Sequence, residues 1–468
     1  MSWSIDEDAQ AAFAGLSGDR NPIHVNEDYA ARSMFGKRLV HGIHLVLKSL
    51  NFFASAQAGP IFITRLEVKF ENSLGVGEAF DLQIIKKSPS SAAIEIRGGT
   101  LARLASITFD YRPGREPEAA QAAVDFPDRP DEPEAYDHLQ GRESLAYDRR
   151  QLAALLPGAG DKLSSLNIAL LLATTRIVGM RCPGLNSIYH CLTLDFTAFD
   201  PAGESLAYRT VKLHQALGLL TVSLADTGDQ PCGQLRAFIR PSAPRQKNMA
   251  ELRGLVESGL FDGQRALVVG GSRGIGAQCA RMLALGGAKV LLTYRRSRRE
   301  ADDLAAECAG RCLHLDAADP APESLEAIKT FRPTHLYYFA TPHITNSLPS
   351  LSREKFIALV DIYIFALNDL INAVAYGLRG VFYPSSTAVE DLPNGMIEYA
   401  LAKYATELYS RYLRQKFKLF VYNPRFPRIE TEQTANLLGL RAAAPEDVLK
   451  VELEKFVSMG RQTNESIF

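Results

Sequence analysis

The chain lacks any pair of cysteines spaced as CxxC. Its six cysteines, Cys182, Cys191, Cys232, Cys279, Cys308 and Cys312, are scattered through 468 residues. That spacing suggests neither a metal site nor a disulfide framework, and a reducing, cytoplasmic setting is the expectation. An excess of one charge is also lacking, because 52 Lys and Arg nearly cancel 53 Asp and Glu. No whole-chain basic field is left for nucleic acid or anionic lipid. The opening residues, MSWSIDEDAQ, carry no basic n-region of a signal peptide. The longest apolar run, around Ile168 to Ala173, is far short of the ~20 residues that cross a bilayer. Neither a nucleic-acid nor a membrane partner is expected.

What remains is the composition of a packed protein, 46% hydrophobic and 22% charged, at a length that suits two or three domains. Two stretches rich in Pro and charge read as linkers: Pro113 to Glu134, and PSAPRQKN from Pro241 to Asn248. The resulting blocks are roughly 1–115, 135–242 and 252–468, assigned as domains 1–118, 119–245 and 252–468.

The first two blocks repeat one order of elements. Block one has an apolar helical run (Val40 to Phe53), then PIFITRLEVKF, a turn at Gly75 and Gly77, and a closing ITFDYRP. Block two has Leu166 to Val178, then SIYHCLTLDF, a turn at PAGES, and a closing LRAFIRP. One long helix followed by alternating strands is an α+β pattern in which a curved antiparallel sheet wraps the helix. Two unrelated α+β domains remain the alternative. Block three differs: RALVVG, a Gly-rich turn, an Ala/Leu-rich helix and KVLLTY spell a parallel, doubly wound α/β sheet.

Phe13 to Gly42 reads FAGLSGDRNPIHVNEDYAARSMFGKRLVHG. Taken alone, Asp19 and Asn21 would make an ordinary polar turn and His24 a satisfied loop histidine. The full stretch, with PIFITRLEVKFENSLGVGE after it, resembles the MaoC-like (R)-specific enoyl-CoA hydratases over about the first hundred residues. Asp19, Asn21, Pro22 and His24 form the Asp-x-Asn-Pro-x-His loop, and His41 and Gly42 the His-Gly pair. The resemblance implies a hot-dog fold, and a double hot-dog once the repeat is included. It also implies hydration of an enoyl thioester, or dehydration of an (R)-3-hydroxyacyl thioester, on CoA or an acyl-carrier protein. That chemistry needs a base for water and an acid for C2. Asp19 and His24, five apart across a Pro-pinned loop, can hold one water between them. The Gly42 N–H, at a helix start, suits the charge developing on the thioester oxygen. Ser17 and Asn21 read as loop supports, and His44 as a core or surface residue. Block two lacks the loop, and His190 in its alternating strand reads as structural. That half is expected to complete the sheet and shape the acyl tunnel.

In VVGGSRGIG, Gly270, Gly274 and Gly276 lie between a strand and a helix, where glycines let backbone approach a pyrophosphate. Tyr399 and Lys403 form Y-x-x-x-K on one helix face, and Ser386 lies thirteen residues before Tyr399. Together these resemble the short-chain dehydrogenases/reductases from about Phe261 to Thr434. The resemblance implies a Rossmann-type domain in which Tyr399 protonates an alkoxide as hydride arrives, Ser386 holds the carbonyl oxygen, and Lys403 lowers the phenol's pKa. Gly270, Ser272, Arg273, Gly274, Ile275 and Gly276 would cradle the cofactor, with Asp316 near its adenine and Thr431 near its phosphates. Where NAD sites place an acid after the second strand, this chain has Arg295 and Arg296, so NADP(H) is expected. There are departures: FATP (Phe339 to Pro342) replaces the family's Asn-Asn-Ala-Gly. Tyr363 falls where its tetrad has Asn, and Arg425 where it has Gly. The two activities share a 3-hydroxyacyl thioester, and homodimers are expected of such domains.

Overall fold

A computed structural model describes every residue except 1, 100–101, 116–125, 201–202, 242–243, 345–350, 418, 433, 435–440 and 466–468. Parts of both Pro-rich stretches and of the PAGES turn therefore lie outside the described residues. The chain forms two compact units, Met1–Ser242 and a second from Ala243 on.

The first unit is built on one ten-stranded sheet. Its strands are β1 (Ser2–Trp3), β2 (Ile61–Phe70), β3 (Phe80–Lys87), β4 (Ser91–Gly98), β5 (Arg103–Pro113), β6 (Gln140–Ser144), β7 (Ser187–Asp195), β8 (Ser205–His214), β9 (Leu219–Ala225) and β10 (Pro231–Ile239). The spatial order is β1-β3-β4-β5-β2-β7-β10-β9-β8-β6, antiparallel throughout. Read outward from the central β2–β7 pair, the two halves follow the same path, which makes this a double hot-dog. The pair joins them from Arg65↔Asp195 to Lys69↔Cys191.

Alternation along the strands separates the two faces of the sheet. In β5, Ile107, Phe109 and Tyr111 are buried while Thr108, Asp110 and Arg112 are exposed, so one face meets the core and the other water. Each fully buried aliphatic or aromatic side chain there contributes about 1.5–3 kcal/mol. The wrapped helices, Gly42–Ser55 and Ser165–Arg176, are buried almost all round; in the second, every residue from Asn167 to Arg176 is buried.

A polar residue in that second helix closes an irregularity in β2. Pairing with β5 shifts register between Ile63 and Arg65. There the Ile63 N–H donates to Asn167 Oδ1, and Asn167 Nδ2 donates to the Ile63 carbonyl, both at 2.9 Å. The side-chain amide thus takes the place of a missing strand neighbour.

The first Pro-rich stretch is not a free linker in its described part. The Arg176 guanidinium lies 4.5 Å over the Phe126 ring, Asp128 pairs with Arg20, and the Asp131 backbone bonds to Met180 and Leu185. Pro and charge set aside helix and strand, but they do not prevent a segment from docking.

The second unit holds β11 (Arg265–Val269), β12 (Lys289–Tyr294), β13 (Arg311–His314), β14 (His335–Tyr338), β15 (Gly380–Phe382), β16 (Ser385–Ser386), β17 (Phe420–Tyr422) and β18 (Arg425–Phe426). Six form a parallel sheet, β13-β12-β11-β14-β15-β17, and β16 pairs with β18. Alternate residues of β11 feed opposite faces: Ala266 and Val268 join one hydrophobic cluster, Leu267 and Val269 the other. This is the Rossmann-type, doubly wound arrangement, whose order reverses at β11. By sequence, the longest apolar run, around Ile168 to Ala173, is too short for a membrane. The helical stretch Arg353–Val374 does meet that test by length and composition. Leu359, Ile362, Tyr363, Ala366, Leu367, Leu370, Ile371 and Val374 within it pack into a core cluster with sheet residues.

Asn167→Ala leaves two buried backbone groups unpaired. The expected cost is about 1–3 kcal/mol in the unfolding of the first unit, read from its urea midpoint.

Candidate active sites

The front site begins at a left-handed turn. Gly18, at φ 71°, ends helix Glu7–Ser17 and turns the chain inward. Asp19 follows, only 2% exposed. Asn21 then caps the short helix Pro22–Val25 that carries His24. Asn21 does more than cap: its Nδ2 donates to the carbonyls of Gly179 (2.9 Å), Gly184 (3.1 Å) and Leu185 (3.2 Å). Ser17 Oγ accepts the Asp19 N–H at 3.2 Å.

One donor atom from each of Asp19, His24 and His41 lies within 4.8 Å of the others. Hydrogen bonds fix what each can do. The His24 Nδ1 lies 2.8 Å from the Leu39 carbonyl. A carbonyl only accepts, so Nδ1 carries the proton and Nε2 is the basic nitrogen. The His41 Nε2 donates to the Asp19 carbonyl oxygen (2.9 Å), and Gln10 Nε2 donates to His41 Nδ1 (3.1 Å). Both nitrogens of His41 are engaged, so it offers no lone pair to a cation. The trio does not fit a metal site. His41 ties the Asp19 backbone to helix Gly42–Ser55. His44 stacks on Phe13 in the core, and burial pushes its pKa down to about 3. His190 is partly buried against Phe238.

Burial pushes the Asp19 carboxyl above its usual range, opposed by the charge of His24 and a hydrogen bond from Thr175. Burial likewise pushes His24 down, opposed by Asp19. The neutral forms are thus favoured more than in water, as proton exchange near neutrality requires. Gly42 opens its helix with no side-chain cap at His41, and a first-turn N–H has no acceptor within its helix. A Cβ at Gly42 would stand 2.8 Å from Phe70.

The second half contributes residues that sequence reasoning missed. Thr175 Oγ1 donates to Asp19 Oδ2 at 2.7 Å. Gly179, in the wide turn Ile177–Arg181, faces the same carboxylate; a Cβ there would sit 2.2 Å from Oδ1. Arg176, paired with Glu143 at 3.0 Å, also donates to the Ser17 carbonyl at 2.6 Å. The one signal was three polar residues, Thr174 to Arg176, following the apolar run Ile168 to Ala173. The half without the loop thus holds the carboxylate of the half that has it.

The rear site gathers at the carboxyl ends of the parallel strands. Gly270 (φ 73°) leaves β11 against Ala340, whose N would lie 2.7 Å from a Cβ. A Cβ on Gly276 would stand 2.3 Å from the Gly270 carbonyl oxygen, whereas one on Gly274 (φ 57°) would enter open space. Helix Gly274–Leu285, with Gly274, Ile275 and Gly276 in its first turn, has no side-chain cap hydrogen bond. An open glycine and an uncapped helix start fit a pyrophosphate. Ser272 and Arg273 complete the loop; Arg273 Nη1 pairs with Glu432 at 3.4 Å. Arg295 and Arg296 follow β12 and are exposed, and the Arg295 carbonyl lies 3.1 Å from His314 Nε2. The Asp316 carboxylate accepts the Ala318 N–H, and Thr431 is bonded to Thr434.

Burial pushes the pKa of the Tyr399 phenol up, and the Ser386 hydroxyl partly offsets that push. Lys403 Nζ lies 5.9 Å from the Tyr399 ring centroid. Burial lowers its pKa to about 7. Tyr399 also lines a pocket with His343, Lys355 and Glu398. Arg425, in place of the family's Gly, is bonded to Glu407, which also accepts from Ser385.

Fold and sites define a fusion of a double hot-dog unit with a Rossmann-type unit. Residues 2–97 match the MaoC like domain and residues 264–419 the short chain dehydrogenase family. The chain joins a MaoC-like dehydratase domain to a short-chain dehydrogenase domain. It is 35% identical over 87 residues to 3-hydroxybutyryl-CoA dehydratase of Methylorubrum extorquens, covering 14% of this chain and 55% of that one. Over 43 residues it is 52% identical to (R)-specific enoyl-CoA hydratase of Rhodospirillum rubrum, covering 9% and 30%. The chain thus spans about half or less of these relatives. A solved short chain dehydrogenase of Burkholderia cenocepacia in complex with NADP is 24% identical. That match covers 42% of this chain and 91% of that one, with a TM-score of 0.38.

The Thr175 hydroxyl stabilises the charged form of Asp19, so Thr175→Val should raise the carboxyl's pKa further in a 13C-NMR titration. Gly179→Ala should raise it too, or unfold the unit, and Thr175→Ser should leave it near its original value.

Proposed function

We propose that the chain is a bifunctional acyl-thioester enzyme. Its rear unit reduces a 3-ketoacyl thioester with NADPH, and its front unit dehydrates the resulting (R)-3-hydroxyacyl thioester or hydrates the enoyl product. The observation that carries the reading is the close approach of Asp19 and His24, within 4.8 Å, with the basic nitrogen of His24 defined. A water held between them can lose a proton to one as the other serves C2. The first-turn N–H of Gly42, without an acceptor in its own helix, would receive the thioester oxygen. The (R) configuration and the CoA carrier draw on the two named relatives; a carrier protein is the other candidate.

In the rear unit, NADPH bound at the Gly270–Gly276 loop would supply hydride. Tyr399 would give its proton to the substrate oxygen, Ser386 would hold that oxygen, and Lys403 would lend positive field. Arg295 and Arg296, with Arg273 in the loop, favour a 2′-phosphate. Asp316 and Thr431 would border the adenine and the phosphates. Sharing one intermediate gives tethering a kinetic advantage. We also assign a cytoplasmic setting, from six free thiols, and a homodimer. For the dimer, Ile397, Leu401, Tyr404, Leu408 and Tyr412 form an exposed stripe on helix Ile397–Phe417. A rear unit that only binds the cofactor is the competing reading, suggested by Tyr363 at the tetrad's Asn position.

Wild-type protein should hydrate crotonyl-CoA, and Asp19→Asn or His24→Gln should each lower kcat by about 10²–10⁴ with unchanged melting. Acetoacetyl-CoA should drive NADPH oxidation. That activity should vanish in Tyr399→Phe, and its preference over NADH should shrink in Arg295→Ala/Arg296→Ala. An unchanged rate in Tyr399→Phe would reject the reductase mechanism. Absence of both activities in wild type would leave an acyl- or nucleotide-binding scaffold.

A further inference from the structure

Lys403 is held in a setting with little hydrogen bonding. Its Nζ donates to the Pro384 carbonyl at 2.9 Å. Otherwise it meets ring faces: Tyr363 at 4.1 Å from the centroid, Tyr383 at 5.3 Å and Tyr399 at 5.9 Å. An ammonium has three donors. One carbonyl takes one of them, and among the described residues no carboxylate pairs with Lys403.

The nearest ring is fixed from several sides. Tyr363 is fully buried, in the wide helical turn Asp361–Phe365. Its hydroxyl lies 2.6 Å from Thr341 Oγ1, in the FATP segment. Tyr383 OH donates to the Tyr363 carbonyl at 2.7 Å, and Tyr338 OH to the neighbouring Ile362 carbonyl at 2.6 Å. Such a turn frees carbonyls from the helical ladder, and here two tyrosine hydroxyls take them. The backbone is thus held at the turn and the ring by burial and its hydroxyl contact, and its face meets the ammonium.

We propose that Tyr363 is a positioning residue of the rear site, holding the Lys403 ammonium beside Tyr399 by its ring face, where related sites have an asparagine amide. This rests on the reductase reading above. A ring quadrupole attracts a cation and not a neutral amine, so the contact favours charged Lys403 where burial opposes charge. The groups facing Lys403 are Tyr363 from the wide turn, Tyr383 from the end of β15, and Tyr399 on its own helix. With the Tyr363 ring removed, none of these replaces a face at 4.1 Å.

The test uses full-length protein with 15N-labelled lysine, its Lys403 ammonium signal assigned through Lys403→Arg. Acetoacetyl-CoA-dependent NADPH oxidation is followed across pH in parallel. Wild type and Tyr363→Phe should share a ring-current-shifted Lys403 signal and one pH profile. Tyr363→Leu should lose the shift, move the Lys403-dependent limb to lower pH, and lower kcat about tenfold, with KM for NADPH changed less than about twofold. Tyr363→Asn should lose the ring-current shift as Leu does and recover part of kcat.

A wild-type profile and signal in Tyr363→Leu would overturn the proposal. So would a loss in Tyr363→Phe equal to that in Leu, which would move the effect to the hydroxyl and Thr341. Wild-type protein without turnover would refute the reductase reading instead, and the ammonium signals would still decide whether the ring holds Lys403.

Discussion

The first unit depends on making a buried carboxyl tolerable. Asp19 sits almost wholly out of water, where an isolated charge would be far too costly and even an unpaired polar group costs free energy. Its partners are split between the two halves: Asn21 N–H and the His24 ring from its own loop, and Thr175 from the other half's helix. The Arg176 field adds to these, and Gly179 supplies the space. The half without the Asp-x-Asn-Pro-x-His loop thereby contributes directly to the site. Sheet pairing through β2 and β7 sets the register that brings Thr175 to Asp19, and Asn21 locks it with three carbonyls from that half.

Local chemistry was legible in the chain; contacts across it were not. DRNPIH, VVGGSRGIG and EYALAKYA each carry their geometry within a few residues, because a turn, a helix start or one helix face is a local object. The fold was legible for the same reason: period-2 and period-3.6 patterns locate strands and helices, and the repeated order marks the two halves. Thr175 and Gly179 were not legible, since they meet Asp19 only through tertiary packing, 156 residues away for Thr175. In SLNIALLLATTRIVGM a glycine required by a neighbouring carboxylate looks like any small core residue. Phe126 and Asp131 were hidden for another reason. Pro and charge announce irregular backbone but say nothing about whether that backbone docks.

Departures from family pattern told more than agreements did. FATP, Tyr363 and Arg425 stood out as substitutions without a stated purpose. Two of the three now share a contact, since Thr341 of FATP meets the Tyr363 hydroxyl. Arg425 joins another network, with Glu407 and Ser385 next to Ser386. Substitutions that look like decay one at a time are, here, packed against each other. Coupled replacement is what a retained architecture needs when one polar member is exchanged, because a half-satisfied buried network is less stable than either complete version.

The two sites solve the same electrostatic problem in opposite ways. Around Asp19 the compensation comes largely from hydrogen-bond donors, the Asn21 N–H and the Thr175 hydroxyl, that act on the charged form. Around Lys403 it comes mainly from ring faces, which recognise charge but have no proton to exchange. A carboxyl that gains and loses a proton, as proposed for Asp19, would be suited by the first arrangement. The second arrangement favours the ammonium over the amine where burial pulls the Lys403 pKa down to about 7. The contrast therefore fits the roles proposed above: proton exchange at the Asp19–His24 pair in front and at Tyr399 in the rear, with the rings biasing Lys403 toward its charged form.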